Sequence, residues 1–291
     1  MKPSRNVIYA SLLLLPAAVL LWTFTYQPIL ATILDSFYST PRGRRPVYFI
    51  GLEHYQTMVA DPVFWKSIIN NAIYALTTIP LSMALALGMA LLIHAKVRGQ
   101  ALVRMAYFTP TVLPMVAVAN IWLYFYAPDY GLIDQILRPL GFGGRNWLGS
   151  TETALAALIV ITIWKEAGFF MIFYLAALQQ ISPVLLEAAQ LEGATYRQQL
   201  RRIVLPLLRP TTLFISVNAL IGAFRLVDHV VAMTKGGPDN ATMLLLFHIY
   251  QVGFSFWDTG YAAALTVVLL VILMLIALFQ FGYADKRVHY R

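Results

Sequence analysis

Long apolar stretches with few polar interruptions follow one another along most of the chain. A helix needs about 20 predominantly apolar residues to cross the hydrocarbon core of a bilayer. Six stretches reach that length, approximately over 7–34, 67–93, 101–127, 153–178, 203–224 and 259–284. Prolines fall inside several of them, which membrane helices tolerate where neighbours or a water-filled cavity satisfy the freed backbone groups. The pattern predicts an all-α polytopic membrane protein with six transmembrane helices, forming a single domain over 1–291 with core spans within 67–284.

Composition supports a membrane protein and excludes several other classes. Apolar residues make up 59% of the 291 positions and charged residues 12%, against about 45–50% and about 25% in soluble domains. The absence of cysteine excludes disulfides, thiolate metal sites and cysteine nucleophiles. The first stretch follows Lys2 and Arg5, as the apolar region of a signal peptide would. It is longer than the usual length of about 7–15 residues and has no clear small-x-small cleavage site, so we expect a retained span.

The net charge of +8 indicates an orientation in the membrane rather than nucleic-acid binding. Six spans place both termini on one side, together with the 94–104 turn and the 179–209 loop. That side holds 12 basic residues and three acidic ones. Because cytoplasmic loops carry an excess of Lys and Arg, it is predicted to be cytoplasmic. Arg42, Arg44 and Arg45 disagree, but they lie in a longer outer loop, where the rule is weaker.

The loop between the fourth and fifth stretches has the pattern of two short helices. Ser182 and Pro183 form a helix start signal, because Ser favours the N-cap and Pro the first turn. The run from Glu187 to Ala189 favours helix, and Gly193 interrupts it. We predict a short cytoplasmic helix, a glycine turn and a second, basic helix leading into Pro206. Small side chains permit close approach of another protein and Glu187 offers it a carboxylate, although an ordinary interfacial helix has the same residue types.

The spacing of residues in this loop favours contact with another protein over an ordinary interfacial helix. Glu187-Ala-Ala, a glycine six positions after the glutamate, nine intervening residues and then Ile203-x-Leu205-Pro206 resemble the EAA loop of binding-protein-dependent ABC importer permeases. The resemblance implies a type I ABC importer permease fold. It also implies that the loop, over 182–206, contains a coupling helix that docks into a groove of an ATPase subunit. The contact residues implied are Glu187, Ala188, Ala189, Leu191 and Gly193.

Further motifs along the chain resemble the carbohydrate-uptake class of these permeases, which includes maltose, trehalose and glycerol-3-phosphate permeases. The motifs are Pro28, the outer segment 49–55, the inner turn 94–99, the Trp164-Lys165 pair, and Lys235-Gly-Gly-Pro238 with Ala241-Thr242.

This resemblance implies a multi-pass subunit of a bacterial-type cytoplasmic (inner) membrane, with both termini cytoplasmic. Its partners would be a second homologous permease, two ATPase subunits and an extracytoplasmic solute-binding protein. The chain would bind no cofactor itself, while the ATPase subunits use ATP and Mg. The expected solute is a sugar or oligosaccharide; glycerol-3-phosphate or another polyol or phosphodiester is the alternative.

Polar residues inside two stretches are candidates for a solute path. Lys165 and Glu166 lie near the middle of the fourth stretch, where a charged residue costs about 2.5–3.5 kcal/mol on insertion scales and normally faces the bundle interior or a cavity. Adjacent helix positions point about 100° apart, so each has its own partner or one of them lines the path. In the fifth stretch Asn218, Gly222 and Arg225 share one helix face.

Aromatic residues near this polar set would let a sugar stack. The resemblance to maltose-type permeases places the solute site on the spans before and after the EAA loop. The predicted path residues are Trp164, Lys165, Glu166, Phe169, Asn218, Gly222, Arg225 and Asp228. The alternative is that the charged ones form structural ion pairs within the bundle or with the second permease.

The outer segment 234–242 has turn chemistry, because Gly236 and Gly237 permit a positive φ. By itself this pattern is compatible with a plain connector. The resemblance implies contact of Gly236, Gly237 and Pro238 with the solute-binding protein.

Enzymatic functions find little support. The five histidines form no H-E-x-x-H pair and there is no Walker A sequence, so we predict neither catalytic residues nor a metal site. His229, beside Asp228 near the end of a span, is expected to be a solvated or interfacial histidine. A secondary transporter is a remote alternative, since such proteins usually show an internal repeat, which is not evident here, and that class gives no reason for the EAA loop.

Overall fold

Helices account for nearly all regular structure in the computed structural model, which describes residues 5–41, 43, 46–95, 99–141 and 144–285. In chain order they are α1 (Arg5–Leu21), α2 (Gln27–Asp35), α3 (Glu53–Ala60), α4 (Pro62–His94), α5 (Gln100–Val112), α6 (Met115–Phe125), α7 (Leu132–Leu137), α8 (Ala154–Gln179), α9 (Pro183–Leu191), α10 (Tyr196–Gln199), α11 (Leu205–Leu207), α12 (Arg209–Arg225), α13 (Asp228–Met233), α14 (Leu245–Tyr250) and α15 (Thr259–Asp285). Within the described residues the β structure consists of one isolated bridge, between Tyr38 and Phe49. The all-α prediction is confirmed.

Five helical segments of the described chain are long and apolar enough to cross a membrane, and a bent helix pair makes a sixth. The five are Leu12–Asp35, Pro62–His94, Ala154–Gln179, Arg209–Met233 and Thr259–Gln280, and the bent pair is α5 with α6. A π-helical turn over Trp22–Tyr26 joins α1 to α2 within the first segment. The six predicted stretches are therefore recovered when the pair counts as one span.

The third stretch, 101–127, is broken in the structure. α5 ends at Val112 and α6 begins at Met115, with a bend of 103° between them. Leu113 adopts extended backbone angles, with ψ at 135°, as expected for a residue that precedes proline. Pro114 has no N–H, so the hydrogen bonding of α5 cannot continue through it. Pro80, in contrast, lies within the uninterrupted α4.

Two compact units make up the chain, and the larger comprises 62–248 and 273–291. Within it α4 packs along α8, α12 packs against both, α5 packs against α8 and α6 against α13. Ala86, Ala90 and Ala167 have no exposed surface. Small residues of this kind let membrane helices approach closely, and here they lie in a core built from α4, α8 and α12.

A row of buried polar residues runs along α4. Apart from the adjacent Asn70 and Asn71, its members recur every three or four positions, so they share one helix face. They are Ser67, Asn70, Asn71, Tyr74, Thr78 and Ser82. Asn71 accepts from the N–H of Leu245 at 2.8 Å and donates to the carbonyl of Ala223 at 3.4 Å. Asn70 donates to the carbonyls of Asn240 at 2.8 Å and Met243 at 3.0 Å, so the two asparagines of the row tie α4 to distant parts of the same unit.

The smaller unit comprises 1–61 and 249–272. Its segment before α3 is held to the start of α15 by the hydroxyl of Thr40, which bonds the Asp258 carboxylate and accepts from the N–H of Gly260 at 3.0 Å. Tyr261 donates to Asp61 at 2.9 Å. The first membrane segment buries none of its residues within the isolated chain, which leaves its surface for lipid or another subunit.

Several residues used to predict orientation lie outside the described residues. They are Lys2, Arg42, Arg44, Arg45, Lys96, Arg98, Lys286, Arg287 and Arg291.

Candidate functional site

The 182–206 loop has the predicted form of two short helices around a glycine turn. Ser182 occupies the extended N-cap position and Pro183 begins α9, although the Ser182 hydroxyl makes no capping bond. Gly193 has φ +81°. Its N–H donates to the carbonyl of Gln190 at 2.9 Å, and the next N–H, of Ala194, donates to that of Ala189 at 2.9 Å. This is a Schellman ending, in which a left-handed residue favours glycine.

A capping box starts the second helix of the loop. The backbone N–H of Thr195 donates to Gln198 Oε1 at 2.7 Å, and the Thr195 hydroxyl accepts from the Gln198 backbone N–H at 3.4 Å. Gln199 reaches back to the carbonyl of Ala194 at 3.0 Å. A π-helical turn over Leu200–Val204 then leads into α11 and Pro206. Local hydrogen bonds therefore hold the turn between α9 and α10.

One face of α9 lies on the helix bundle and the opposite face is open. Leu186 packs against the core of α4, α8 and α12, and Ala189 is half-buried. At about 100° per residue, the residues on the far side from Leu186 are Val184, Glu187, Ala188 and Leu191, which we call the open face of α9. All four are exposed, Leu191 by 91%. Of the predicted contact residues, Glu187, Ala188 and Leu191 thus lie on the open face, whereas Ala189 turns toward the bundle.

A narrow cleft of about 10 Å³, with space for about one water molecule, lies between α4, α8 and α12. Its lining comprises Thr78, Ile79, Ser82, Thr162, Glu166, Phe170, Ala219, Gly222, Ala223 and Leu226. Glu166 and Gly222 were predicted as path residues. The hydroxyl residues Thr78, Ser82 and Thr162 were missed, although sequence patterns pointed to them: the first two belong to the polar row of α4, and Thr162 precedes Glu166 by one helical turn.

Thr162 also belongs to a buried hydrogen-bonded group behind the cleft. Its hydroxyl donates to the carbonyl of Leu158 at 3.1 Å and lies 2.6 Å from the Tyr74 hydroxyl. The Tyr74 hydroxyl lies 3.1 Å from His229 Nε2, and the two rings stack with centroids 5.8 Å apart. His229 is fully buried, so the expectation of a solvated or interfacial histidine is wrong. The residues around it fold α13 back onto the bundle, which its position near a span end did not reveal.

The side chains of Lys165 and Glu166 lie in different environments, as their angular separation on α8 predicts. The Lys165 ammonium donates to the carbonyl oxygens of Pro110 at 3.0 Å, Thr111 at 3.2 Å and Leu113 at 2.6 Å. An ammonium has three protons, and each finds an acceptor at the break between α5 and α6. Glu166 lines the cleft instead.

The remaining predicted path residues lie outside the described lining of the cleft. Trp164 contacts Trp122 with ring centroids 5.6 Å apart, and Phe169 contacts Phe173 at 5.1 Å. Asn218 donates to the carbonyl of Phe214 in its own helix at 2.8 Å. Arg225 ends α12 and Asp228 begins α13, both with exposed side chains. A role in the path for these five residues stays a prediction.

The 234–242 segment is tightly organised. Gly236 is buried with φ +83°, and a Cβ there would come within 2.9 Å of both Met243 Cε and Phe247 Cε1. The hydroxyl of Thr242 lies 2.7 Å from the carbonyl of Gly237. Gly237 and Pro238 are half-buried, and the exposed side chains beside them are those of Lys235 and Asp239.

Metal binding finds no obvious place in the part of the chain that the structure describes, where no three His, Asp or Glu residues lie close enough together to hold an ion.

Comparisons with known proteins agree with this geometry. Residues 78–290 match the family described as "Binding-protein-dependent transport system inner membrane component". The chain is 35% identical to a sulfoquinovosyl glycerol transport system permease protein of Agrobacterium fabrum, over 92% of this chain and 87% of that protein. It is 29% identical to a trehalose/maltose transport system permease protein of Thermococcus litoralis, over 93% of this chain and 91% of that one.

Solved structures agree as well. One chain of a bacterial ABC transporter that imports the acidic polysaccharide alginate superposes with a TM-score of 0.82 at 26% identity, covering 97% of this chain and 96% of that chain. A second alginate ABC transporter structure, in complex with a periplasmic protein that holds an alginate pentasaccharide, gives a TM-score of 0.80 at 25% identity, covering 96% of this chain and 94% of that one.

The family model covers most of the chain, and the fold matches that of a chain of a solved ABC importer. The protein therefore belongs to the binding-protein-dependent transport system inner membrane components, as the multi-pass permease subunit of an ABC importer and not as an enzyme in itself.

Proposed function

We propose that this permease takes up a sugar or oligosaccharide through a path whose wall, on this chain, is the cleft between α4, α8 and α12. The observation that carries the proposal is the composition of that wall. Thr78, Ser82 and Thr162 supply hydroxyls, Glu166 supplies a carboxyl group and Phe170 an aromatic ring. The three hydroxyls donate to carbonyls of their own helices, so each keeps its oxygen as an acceptor for a solute rich in hydroxyl groups, and the Glu166 carboxyl group can pair with such a solute as well.

The charge of the wall favours a neutral carbohydrate over glycerol-3-phosphate or a phosphodiester. Phosphate recognition relies on Arg or Lys, and the described lining holds neither. Lys165 is adjacent in sequence, but its three protons are bonded to backbone carbonyls. The related alginate transporter imports an acidic polysaccharide, so the shared fold does not decide the charge of the cargo and the residues of the cleft must.

The open face of α9 is the surface on which an ATPase subunit docks and through which its ATP-driven motion is transmitted. Val184, Ala188 and Leu191 form an apolar stripe at i, i+4, i+7 spacing, with Glu187 at its edge, a pattern that suits a helix laid in a groove of another protein. The partners in this proposal are a second homologous permease, two ATPase subunits and an extracytoplasmic solute-binding protein. The ATPase subunits use ATP and Mg, and this chain holds no cofactor.

Transport would proceed by alternating access. Closure of the ATPase pair on ATP moves α9. Three residues separate α9 from α8, so α8 shifts Glu166 and the cleft wall with it. Such a motion drives uptake because the solute interacts differently with the two states. The orientation that fits this scheme places both termini and the 182–206 loop in the cytoplasm. The 234–242 segment then faces the binding protein, to which it presents Lys235 and Asp239 beside Gly236, Gly237 and Pro238.

Uptake by the full complex in proteoliposomes tests the proposal, with wild type compared to Glu166→Gln. A hydrogen bond to a charged group contributes about 1.5–3 kcal/mol, so the KM for the sugar should rise by about 10-fold or more. Glu152→Gln, an exposed acid outside the cleft, is the matched control and should leave the KM unchanged. The proposal fails if glycerol-3-phosphate is the better substrate of the wild type, or if the two variants behave alike.

A further inference from the structure

The break between α5 and α6 leaves backbone carbonyls without their usual partners. In a continuous helix the carbonyl of Pro110 would accept from residue 114, but Pro114 has no N–H. The carbonyls of Thr111 and Leu113 also lack the N–H donors that a continuous helix would supply, because Leu113 is extended and the chain turns by 103°. The last carbonyls of any helix need partners from elsewhere. In an apolar environment, where water cannot supply them, unpaired carbonyls are costly.

A single side chain from α8 satisfies all three. The Lys165 ammonium lies 2.6–3.2 Å from the carbonyl oxygens of Pro110, Thr111 and Leu113. A cation at a helix C-terminus also interacts favourably with the negative end of the helix dipole. Once its three protons are used in this way, the ammonium has none left for a solute.

Two further contacts bring α8 and α5 together at the same place. The hydroxyl of Thr111 donates to the backbone carbonyl of Lys165 at 3.4 Å. One turn along α8, Gly168 lies so close to α5 that a Cβ would come within 2.2 Å of the carbonyl oxygen of Tyr107. The glycine thus permits the approach that allows Lys165 to reach the break.

We infer that Lys165 is a positioning residue, which pins the bend between α5 and α6 to α8 so that the broken span moves with the coupling segment. The inference rests on one part of the proposed function, namely that the ATPase subunits move α9. From Lys165, α8 runs on for about 20 Å to Gln179, and α9 begins at Pro183. A displacement of α9 therefore reaches the bend through one continuous helix and three hydrogen bonds. Glu166, one residue further along, carries the same displacement into the cleft wall.

The bend can be measured directly because the natural chain has no cysteine. Cysteines placed at the exposed Met105 of α5 and Tyr124 of α6 take spin labels. Pulsed electron–electron double resonance on the assembled complex then gives the distribution of distances between the two labels. Wild type should give one narrow distribution. Lys165→Met, which removes the donors and keeps the length of the side chain, should broaden it or shift it by several ångström. Lys165→Arg should restore a narrow distribution, and Lys66→Met, at an exposed lysine of α4, should leave it unchanged.

Transport kinetics separate positioning from solute binding. In Lys165→Met the maximal rate of uptake should fall by at least 10-fold while the KM for the solute stays within twofold, and Lys165→Arg should recover much of the rate. A rise in KM at an unchanged maximal rate would make Lys165 a solute ligand and overturn the inference. An unchanged distance distribution in Lys165→Met would overturn it equally.

Gly168→Ala provides a second route to the same answer should Lys165→Met fail to assemble. It keeps the ammonium but forces α5 away from α8, and it should reproduce the broadened distribution and the lower rate. A narrow, wild-type distribution in this variant would contradict the inference. Failure of the proposed function has a different signature: the wild-type complex would not take up a sugar, while the effects of the variants on the distance distribution would persist.

Discussion

Leu191 on the open face of α9 is the residue at which docking of an ATPase subunit can be tested with the least disturbance to the chain. Its side chain is 91% exposed in the isolated chain, so replacing it with alanine removes no internal contact. Substitutions at such surface positions usually change stability by about 0.5 kcal/mol or less. If the side chain is buried on docking, the lost carbons cost about 0.8 kcal/mol each. Truncation to alanine should therefore weaken ATPase binding by about 2.4 kcal/mol, or about 50-fold.

The assay is titration of the ATPase subunit onto the permease pair in nanodiscs, with the thermal midpoint of the permease pair measured in parallel. Leu140→Ala is the matched control, since Leu140 is 67% exposed but belongs to the segment after α7. We expect weaker binding for Leu191→Ala alone, with both midpoints unchanged. Wild-type affinity in Leu191→Ala, or an equal loss in Leu140→Ala, would refute the assignment of the open face as the docking surface.

Three further substitutions test the packing around the cleft and in the 234–242 segment. Thr162→Val removes one of the two side-chain partners of the buried Tyr74 hydroxyl, at about 0.5–1.5 kcal/mol, so the thermal midpoint of the complex should fall by a few degrees, and an unchanged midpoint contradicts the hydrogen-bonded group. Gly236→Ala combines a positive φ with two contacts at 2.9 Å and should make the 234–242 segment more susceptible to proteolysis. Gly88→Ala, where a Cβ meets nothing within 4 Å, should not do so. Asn71→Leu removes the acceptor of the Leu245 N–H, so hydrogen exchange of that amide should accelerate, and unchanged exchange would show that the bond does not protect it.

Local rules were sufficient to predict the six stretches and the form of the 182–206 loop. Stretch length alone located the spans, since each helix must cross the same thickness of bilayer. In the loop, Pro183 and Gly193 set the ends of α9 through the backbone conformations that each residue favours, and Thr195 with Gln198 starts the next helix. These signals act over a few residues, so no tertiary information was needed.

Three features of the structure depend on tertiary contacts and could not be predicted from sequence: the helix break at Pro114, the partners of Lys165 and the burial of His229. Pro80 and Pro114 look alike in sequence, yet only the second breaks its helix, at a place where Lys165 can satisfy the exposed carbonyls. The partners of Lys165 are backbone atoms, which no search for complementary charges would find. His229 is buried because a stacked tyrosine from α4 meets it, a pairing between positions far apart in the chain.

The most direct test of the whole account is uptake of a radiolabelled sugar into proteoliposomes that contain the chain, its second permease and the ATPase subunits. The account predicts accumulation only when ATP is supplied on the side of the ATPase subunits and the loaded solute-binding protein is on the other, with complete inhibition by vanadate. Vanadate-insensitive accumulation by this chain without the ATPase subunits would contradict it.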